Sequence, residues 1–181
     1  MSRLVVVGGG VRSGKSAFAL VRAREVGPRR AFIATAQPVD DEMRERIARH
    51  VLERRDEFRR IEAPFDLSGA MAALRDVDVA VIDCLTLWLS NLLVRGDAEQ
   101  HIEREVESLL RTMGEAPFQT ILVTNEVGMG VVPESALGRV FRDVAGRAHQ
   151  RIAAVADELY FALMGCILRL RPSPVELEAP T

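Results

Sequence analysis

The chain contains few cysteines, aromatic residues and histidines, and it carries almost no net charge. Its 181 residues include two cysteines, one tryptophan, one tyrosine and three histidines. Cys84 and Cys166 show no CxxC spacing, so the sequence indicates neither a structural zinc site nor a disulfide framework. No apolar run approaches the roughly 18 residues that a membrane-spanning helix needs, and the N-terminus shows no signal-peptide pattern. We therefore expect a cytoplasmic protein without a membrane span.

The balance of charged and apolar residues argues for one ordinary globular domain. The 24 basic and 26 acidic side chains give a formal net charge of −2, which is not the basic footprint of a nucleic-acid-binding protein. Hydrophobic residues make up 48% of the chain and charged residues 28%, as in typical soluble domains. We predict a single domain over residues 1–171, followed by a disordered, proline-rich tail over residues 172–181.

Short β-branched runs alternate along the chain with segments of helical period. Strands are predicted at 3–9, 31–35, 77–83, 119–125 and 158–165, and helices at 16–26, 41–57, 65–75, 84–94, 98–113 and 134–157. This alternation predicts an α/β fold with a mainly parallel sheet flanked by helices. Gly165 separates two short apolar runs, which predicts a C-terminal antiparallel hairpin strand. Pro133 near the start of the last helix agrees with the preference of proline for a first turn.

The segment GGGVRSGKS lies directly after the first strand and before a helix. Glycines let successive N–H groups face one phosphate chain, and the helix that follows adds its positive N-terminal dipole. Lys15 would reach the β- and γ-phosphates, and the hydroxyl of Ser16 would bind Mg²⁺. The alternative is a glycine-rich turn that binds nothing. The spacing within this phosphate loop favours a P-loop nucleoside triphosphate site formed by Gly9, Gly10, Val11, Arg12, Ser13, Gly14, Lys15 and Ser16.

Two acidic residues follow other predicted strands and are expected at the same edge of the sheet. Asp83 ends the run VAVID, where a P-loop protein places the carboxylate that completes the Mg²⁺ site. An ordinary helix N-cap is the alternative role for this aspartate. Glu126 comes just after the run QTILVTN. Because ligands of open α/β sheets bind at the carboxyl ends of the strands, both acids are candidate site residues.

His50 lies in the segment MRERIARHVLERR, which contains five arginines. In a helix, Arg46 and Arg54 would be its i−4 and i+4 neighbours. Two cations favour the neutral, nucleophilic imidazole and can also hold phosphate oxygens. Such a histidine is suited to attack the α-phosphorus of a nucleotide and release pyrophosphate. Alternatively, His50 is a packing residue beside the apolar stripe Met43, Ile47 and Val51. His101 and His149 have no comparable setting and are expected to be surface or packing residues.

With these segments in view, the sequence resembles the bifunctional adenosylcobinamide kinase / adenosylcobinamide-phosphate guanylyltransferase family. The resemblance covers nearly the whole chain and rests on GGVRSGKS, FIATAQPVDDEMRERIARH, DCLTLWLSNLL, TNEVGMGVVPESALGRVFRDVAGRAHQRIA and ELYFALMGCILRL. It implies that His50 carries a guanylyl group. Besides the phosphate loop, it implies guanine-nucleotide contacts from Ala34, Thr35, Ala36, Val51, Leu52, Glu53, Arg54, Glu62 and Asp83. The chain departs from the usual family residues at Arg55 (usually Pro), Phe58 (usually Trp) and His149 (usually Asn).

The resemblance also implies the two reactions. The first would phosphorylate the aminopropanol hydroxyl of adenosylcobinamide, a corrinoid, with ATP or GTP. The second would move GMP from GTP through His50 to that phosphate, giving adenosylcobinamide-GDP, and the family suggests a homotrimer. From the residues alone, two alternatives stay open. One is a small-metabolite kinase in which His50 is inert, and the other is a non-enzymatic module that a nucleotide switches.

Overall fold

The computed structural model describes residues 3–38, 41, 44–45 and 57–172. The N-terminal half of this part contains β1 (Arg3–Gly9), α1 (Lys15–Val26), β2 (Arg30–Ala34), β3 (Arg59–Glu62), α2 (Leu67–Ala72) and β4 (Val79–Asp83). The C-terminal half contains α3 (Leu85–Arg95), α4 (Glu99–Glu115), β5 (Gln119–Val123), α5 (Ala136–Val155), β6 (Glu158–Leu163) and β7 (Cys166–Arg171). The predicted tail beyond residue 172 lies outside the described residues.

The seven strands form one sheet in the order β3-β2-β4-β5-β1-β6-β7. The first six strands of that order pair in parallel, and β7 pairs with β6 in antiparallel fashion. The α/β prediction with a C-terminal antiparallel strand is therefore confirmed. Because parallel strands all end at one edge, the loops after β1, β4 and β5 come together there. None of the described helices is long and apolar enough to cross a membrane.

Alternate side chains of each central strand support the two faces of the sheet. On one face, Val5, Val81 and Ile121 form a buried cluster with residues of α1, including Ala19 and Ala23. On the other face, a larger cluster joins the sheet to α2, α3, α4 and α5 through residues such as Leu4, Ile82, Trp88, Ile102 and Ile152. Burial on both faces explains why these strands are apolar almost throughout. Helices packed on both faces of the sheet thereby hold the edge from which the loops extend.

The C-terminal hairpin turns in two residues, Met164 and Gly165. Both have a positive φ, 51° and 79° respectively, as a type I′ turn requires. The strand predicted over 158–165 therefore ends at Leu163, and the turn matches the right-handed twist of the strands it joins.

Further differences from the sequence-based expectation concern β3, α2 and α5. Strand β3 was not predicted, because it is an exposed or half-exposed edge strand of sequence RRIE that lacks an apolar face. The helix predicted over 65–75 forms only over Leu67–Ala72, after the N-cap Asp66. The last helix begins at Ala136 after the N-cap Ser135, so Pro133 precedes the helix and the first-turn assignment was wrong.

Part of one further helix prediction lies outside the described residues. Of residues 41–57, Asp41, Arg44 and Glu45 are helical, whereas Glu57 lies in a 3₁₀ turn. The α-helix predicted here therefore does not reach residue 57. Phe58, which stands where the resembling family usually has Trp, is buried with its ring edge-to-face against Phe32 at a centroid distance of 6.5 Å.

Candidate active site

The phosphate loop connects the carboxyl end of β1 to α1, as the sequence predicted. Gly9 has φ 149°, and a Cβ there would lie 2.4 Å from the carbonyl oxygen of Ala162 on β6. Only glycine fits this position, both by conformation and by space. Gly14 is the N-cap of α1, in a left-handed conformation at φ 95°. It supplies no side-chain cap, and the first turn of α1 has no acidic residue, so this helix start favours an anion.

Side chains of the loop add polar groups at the same place. Lys15 is buried, and its Nζ donates to the carbonyl oxygen of Gly10 at 2.8 Å, which holds the ammonium group at the loop. The hydroxyl of Ser13 is buried and has no hydrogen-bond partner within the described chain. Ser16 is half-buried in the first turn of α1. A cation, a buried unpaired hydroxyl and an uncapped helix start suit a phosphate chain.

Asp83 lies where the sequence places it, at the carboxyl end of β4. It is half-buried and in register with Ala34 of β2 and Val123 of β5. The N-cap of the following helix is Cys84, and no side chain caps that helix, so the alternative role of Asp83 as an N-cap is wrong. Ser16 is in the helix that follows β1, and Asp83 ends β4, so both lie at the carboxyl edge of the parallel sheet. Helix α1 also packs against β4.

The charges of Asp83 and Lys15 both affect the pKa of the Cys84 thiol. Burial, and after it the Asp83 carboxylate, raises the pKa of the Cys84 thiol to about 11, while Lys15 acts in the lowering direction. Both charges are therefore within electrostatic range of one buried atom. At neutral pH this cysteine is a protonated packing residue and not a nucleophile.

A buried polar network behind Asp83 was missed by sequence reasoning. The hydroxyl of Thr35 accepts from the Cys84 N–H and donates to the Cys84 carbonyl oxygen, each at 2.8 Å. Asn125 Nδ2 donates to the hydroxyl of Thr86 at 2.8 Å, and Asn91 Nδ2 donates to the Thr35 carbonyl oxygen at 2.8 Å. These bonds tie together the ends of β2, β4 and β5. The residues joined by these hydrogen bonds are 39 to 56 positions apart in sequence, so a local sequence pattern could not predict the bonds.

The resemblance also placed nucleotide contacts at the ends of β2 and β3. Ala34 and Ala36 are half-buried at the carboxyl end of β2, beside Thr35, whose hydroxyl is engaged with Cys84. Glu62 ends β3, pairs in register with Ala34, and forms an ion pair with Arg60 at 2.7 Å. Its side chain is 68% exposed at the outer edge of the sheet. The structure thus places these residues at the loop-bearing edge, and their contacts with a nucleotide stay predictions.

The end of β5 approaches the phosphate loop directly. The Glu126 N–H donates to the carbonyl oxygen of Gly9 at 3.0 Å, and the Thr124 N–H donates to that of Val7 at 3.0 Å. The Thr124 hydroxyl bonds His149 Nε2 at 2.7 Å, and His149 Nδ1 lies 4.0 Å from Glu126 Oε2. Burial holds the pKa of His149 below its usual value, against the opposing effect of Glu126. His149 is therefore a mostly neutral, partly buried hydrogen-bonding residue near neutral pH.

The histidine segment is the remaining part of the predicted site. His50, Arg46, Val51, Leu52, Glu53 and Arg54 lie outside the described residues, and Arg55 does too. Nearby, Arg44 forms an ion pair with Asp41, one helical turn away. His101 is on the surface of α4 with its side chain 41% exposed, 3.9 Å from both Asp97 and Glu105. The assignment of His50 as nucleophile remains a prediction from the sequence.

Comparison with known proteins gives one family and several close relatives. The family described as "Cobinamide kinase / cobinamide phosphate guanyltransferase" matches residues 5–170. The chain is 42% identical to the bifunctional adenosylcobalamin biosynthesis protein CobP of Pseudomonas aeruginosa, over 92% of this chain and 96% of the relative. It is 37% and 38% identical to proteins named bifunctional adenosylcobalamin biosynthesis protein CobU from Escherichia coli and Salmonella typhimurium, over 93% of this chain and 99% of each relative.

A solved structure supports the fold independently of close sequence similarity. The flagellar accessory protein FlaH from Methanocaldococcus jannaschii superposes with a TM-score of 0.50 at 14% sequence identity. The match covers 92% of this chain and 75% of FlaH. At this identity the likeness concerns the fold alone.

Proposed function

The chain belongs to the cobinamide kinase / cobinamide phosphate guanyltransferase family, and from that premise we propose how its residues carry two reactions at one nucleotide site. It is a bifunctional enzyme that phosphorylates a cobinamide and then transfers a guanylyl group to the cobinamide phosphate. The observation that carries the proposal is the glycine-specified loop between β1 and α1, with Lys15 held at an uncapped helix start. Its substrates are therefore a nucleoside triphosphate, ATP or GTP, and a corrinoid.

In the kinase reaction, the loop N–H groups and Lys15 bind the triphosphate and hold its γ-phosphorus in line with the acceptor hydroxyl. The acceptor oxygen forms a bond to that phosphorus while the bond to the bridging β–γ oxygen breaks, and the nucleoside diphosphate leaves with the electron pair. Positive charge from Lys15 and the α1 dipole stabilises the charge on the phosphoryl oxygens. Positioning and electrostatics supply most of the rate enhancement in such transfers.

We propose that Mg²⁺ is held by the hydroxyl of Ser16 and the carboxylate of Asp83. Hard oxygen donors are the ligands it prefers, and in nucleotide sites one or two protein oxygens suffice because phosphates and waters complete the shell. Bound Mg²⁺ would neutralise charge on the β- and γ-phosphates.

The replacement Asp83→Asn tests the metal assignment, because it keeps the shape of the side chain but removes its charge. We expect turnover at low Mg²⁺ to fall about 10- to 100-fold, the cost of losing one electrostatic contact of roughly 1.4 to 2.7 kcal/mol. Raising the Mg²⁺ concentration should recover part of the activity. Asp143→Asn, on the exposed surface of α5, is the matched control. A Mg²⁺ titration of Asp83→Asn that overlays the wild type would remove Asp83 from the metal site.

For guanylyl transfer, we propose His50 as the nucleophile. Its imidazole nitrogen would form a bond to the α-phosphorus of GTP while the bond to the pyrophosphate oxygen breaks, and the phosphate of the corrinoid would then displace the imidazole. Support comes from the family and from the arginines at positions 46 and 54 of the sequence. These cations favour a neutral imidazole and can bind phosphate oxygens.

The assembly state and location follow from the family resemblance and stay predictions. We propose a homo-oligomer, a trimer by resemblance, in the cytoplasm. The exposed apolar side chains of Met129, Val131 and Val132, which are 81%, 95% and 57% exposed, support an association surface. Measurement of the molar mass in solution distinguishes a trimer from a monomer.

The replacement His50→Ala tests the division of labour between the two reactions. We expect the variant to transfer label from γ-³²P-ATP or γ-³²P-GTP to cobinamide, because that step needs no imidazole. It should form no acid-labile, alkali-stable adduct from α-³²P-GTP, whereas wild type and the surface control His101→Ala should form one. An adduct on the His50→Ala protein would refute the assignment. A wild type that phosphorylates a small molecule and never carries label would support the plain kinase.

A further inference from the structure

Three carboxylates end the described parallel strands or follow them within three residues: Glu62, Asp83 and Glu126. Glu62 is on the edge strand β3, paired with Arg60 and separated from β1 by three strands. Asp83 is on β4 and is the proposed Mg²⁺ ligand. Glu126 follows β5, which lies between β4 and β1. Glu126 is thus positioned between the proposed metal site and the phosphate loop, and neither reaction described above uses it.

The backbone fixes Glu126 against the loop. Its N–H donates to the carbonyl oxygen of Gly9, the first glycine of the phosphate loop, at 3.0 Å. One carboxylate oxygen, Oε1, accepts the N–H of Gly128 in a tight turn. The other oxygen, Oε2, lies 4.0 Å from His149 Nδ1, beyond hydrogen-bond distance. One oxygen therefore orients the carboxylate, and the second can accept a hydrogen bond from a substrate group.

A cavity between the sheet and α5 lies beside this carboxylate. Glu126, Thr124 and His149 line a cavity of about 150 Å³ whose other walls are mostly apolar, among them Leu122, Ile152 and Phe161. The Thr124 hydroxyl and His149 Nε2 bond one another at 2.7 Å. Of the polar side chains on this wall, the carboxylate of Glu126 thus keeps the strongest acceptor capacity.

We propose that Glu126 is a catalytic residue of the kinase reaction and the base that receives the proton of the corrinoid hydroxyl. This inference rests on the proposed function. As the hydroxyl oxygen forms its bond to the γ-phosphorus, its O–H bond breaks and the proton moves to Oε2 of Glu126. The bridging oxygen between the β- and γ-phosphorus atoms keeps the electron pair of the broken bond. The guanylyl reaction starts from a phosphate that is already ionised and needs no such base.

Two other groups at this edge are less suited to the role. Asp83 ends β4, which is separated from β1 by β5. In addition, a carboxylate that binds Mg²⁺ is a poor base. His149 uses Nε2 in its bond with Thr124, and its Nδ1 faces Glu126 itself. The Thr124–His149 bond instead joins the end of β5 to α5 beside Glu126.

The test compares Glu126→Gln with wild type in three assays on the full-length protein. The glutamine can still accept the Gly128 N–H, so the turn is preserved while the base is lost. We expect kcat for γ-phosphoryl transfer to cobinamide to fall about 100-fold or more, the usual size of a general-base contribution. GTP binding, and guanylyl transfer to cobinamide phosphate supplied directly, should stay within about twofold of wild type. Glu126→Asp should recover part of kcat, and Glu134→Gln, an exposed residue of the same segment, is the matched control.

The outcomes separate this inference from the proposed function. If wild type phosphorylates cobinamide and Glu126→Gln does so at an equal rate, Glu126 is not the base and the proposed function stands. If Glu126→Gln loses GTP binding or both reactions together, the residue serves nucleotide binding or folding, and the inference is also overturned. If wild type itself transfers no γ-phosphate to cobinamide, the proposed function fails first. Selective loss of the kinase step, with partial recovery in Glu126→Asp, supports the proposal.

Discussion

Helices α1 and α5 both follow a parallel strand at the loop-bearing edge of the sheet, yet they begin in different ways. Helix α5 has a side-chain cap, since the hydroxyl of Ser135 accepts the N–H of Gly138 at 3.1 Å. Helix α1 begins at Gly14 without a side-chain cap and without an acidic residue in its first turn. Its first turn instead contains the buried cation Lys15. Both helix starts have backbone N–H groups without an intrahelical partner. A side chain accepts one of them in α5, whereas no side chain does so in α1.

Helices α3 and α4 also begin without a side-chain cap, so α1 is set apart by the combination of an uncapped start with a glycine-rich loop and Lys15. A cap of the Ser135 type stabilises a helix by about 1 kcal/mol. Placing a cation and an uncapped dipole at α1 forgoes that gain, and the arrangement becomes favourable when an anion binds. We therefore propose that the start of α5 contributes stability and that the start of α1 binds phosphate. Changes at the two positions should separate these two properties.

The largest effect is expected from Lys15→Ala. Removing the ammonium group should lower both the kinase and the guanylyl activity by about 100- to 1,000-fold, the range found when one preorganised charge or donor is deleted. Both reactions are measured with labelled nucleotide, and GTP binding is titrated in parallel. Arg104→Ala, which removes one positive charge from the exposed surface of α4, should leave all three values unchanged. Guanylyl transfer that survives in Lys15→Ala would indicate two separate nucleotide sites.

A smaller but still large effect is expected from Gly9→Ala. The new Cβ would meet the Ala162 carbonyl oxygen at 2.4 Å at a φ of 149°, and unusual backbone conformations of this kind cost about 1–3 kcal/mol each. We expect the free energy of unfolding to fall by at least that amount, and GTP binding to weaken as the loop shifts. Gly10→Ala is the matched control, because a Cβ there meets no atom within 4 Å. Equal stability of the two variants in denaturant titrations would contradict the fit described for Gly9.

The smallest effect is expected from Ser135→Ala at the start of α5. Loss of the cap should lower the free energy of unfolding by about 1 kcal/mol, within a range of about 0.5–2. Ser135→Asp should restore the stability, because aspartate caps as well as serine. Neither variant should change the affinity for GTP by more than about twofold. A Ser135→Ala protein that binds GTP poorly would mean that the start of α5 also serves the nucleotide.

The features that the sequence predicted correctly are those that depend on neighbouring residues. The position of the glycine-rich loop between β1 and α1 follows from the spacing of Gly9, Gly14 and Lys15, and the hairpin turn follows from Gly165. Buried parallel strands carry their own apolar signal, so the sheet was also predictable. Strand β3 was missed because an edge strand with little apolar content resembles a loop in sequence.

Contacts between distant segments could not be read from the sequence. The bonds of Thr35 to Cys84 and of Thr124 to His149 join residues 49 and 25 positions apart, and only the fold brings them together. Helix starts were misplaced by two residues at α2 and α5, because Asp66 and Ser135 cap through side-chain geometry that apolar periodicity does not report. The sequence correctly predicted that Glu126 lies at the carboxyl edge of the sheet. Its hydrogen bond to the carbonyl oxygen of Gly9 became evident only from the structure.

The most direct test of the central claim is amide hydrogen exchange at the two helix starts, with and without saturating Mg²⁺-GTP. Our account predicts slower exchange over residues 10–18, where the triphosphate is bound by the loop and the first turn of α1. Exchange over residues 136–140 of α5, already capped by Ser135, should stay unchanged. Saturating GTP that leaves residues 10–18 unprotected, or that protects only the start of α5, would contradict the assignment of the nucleotide site.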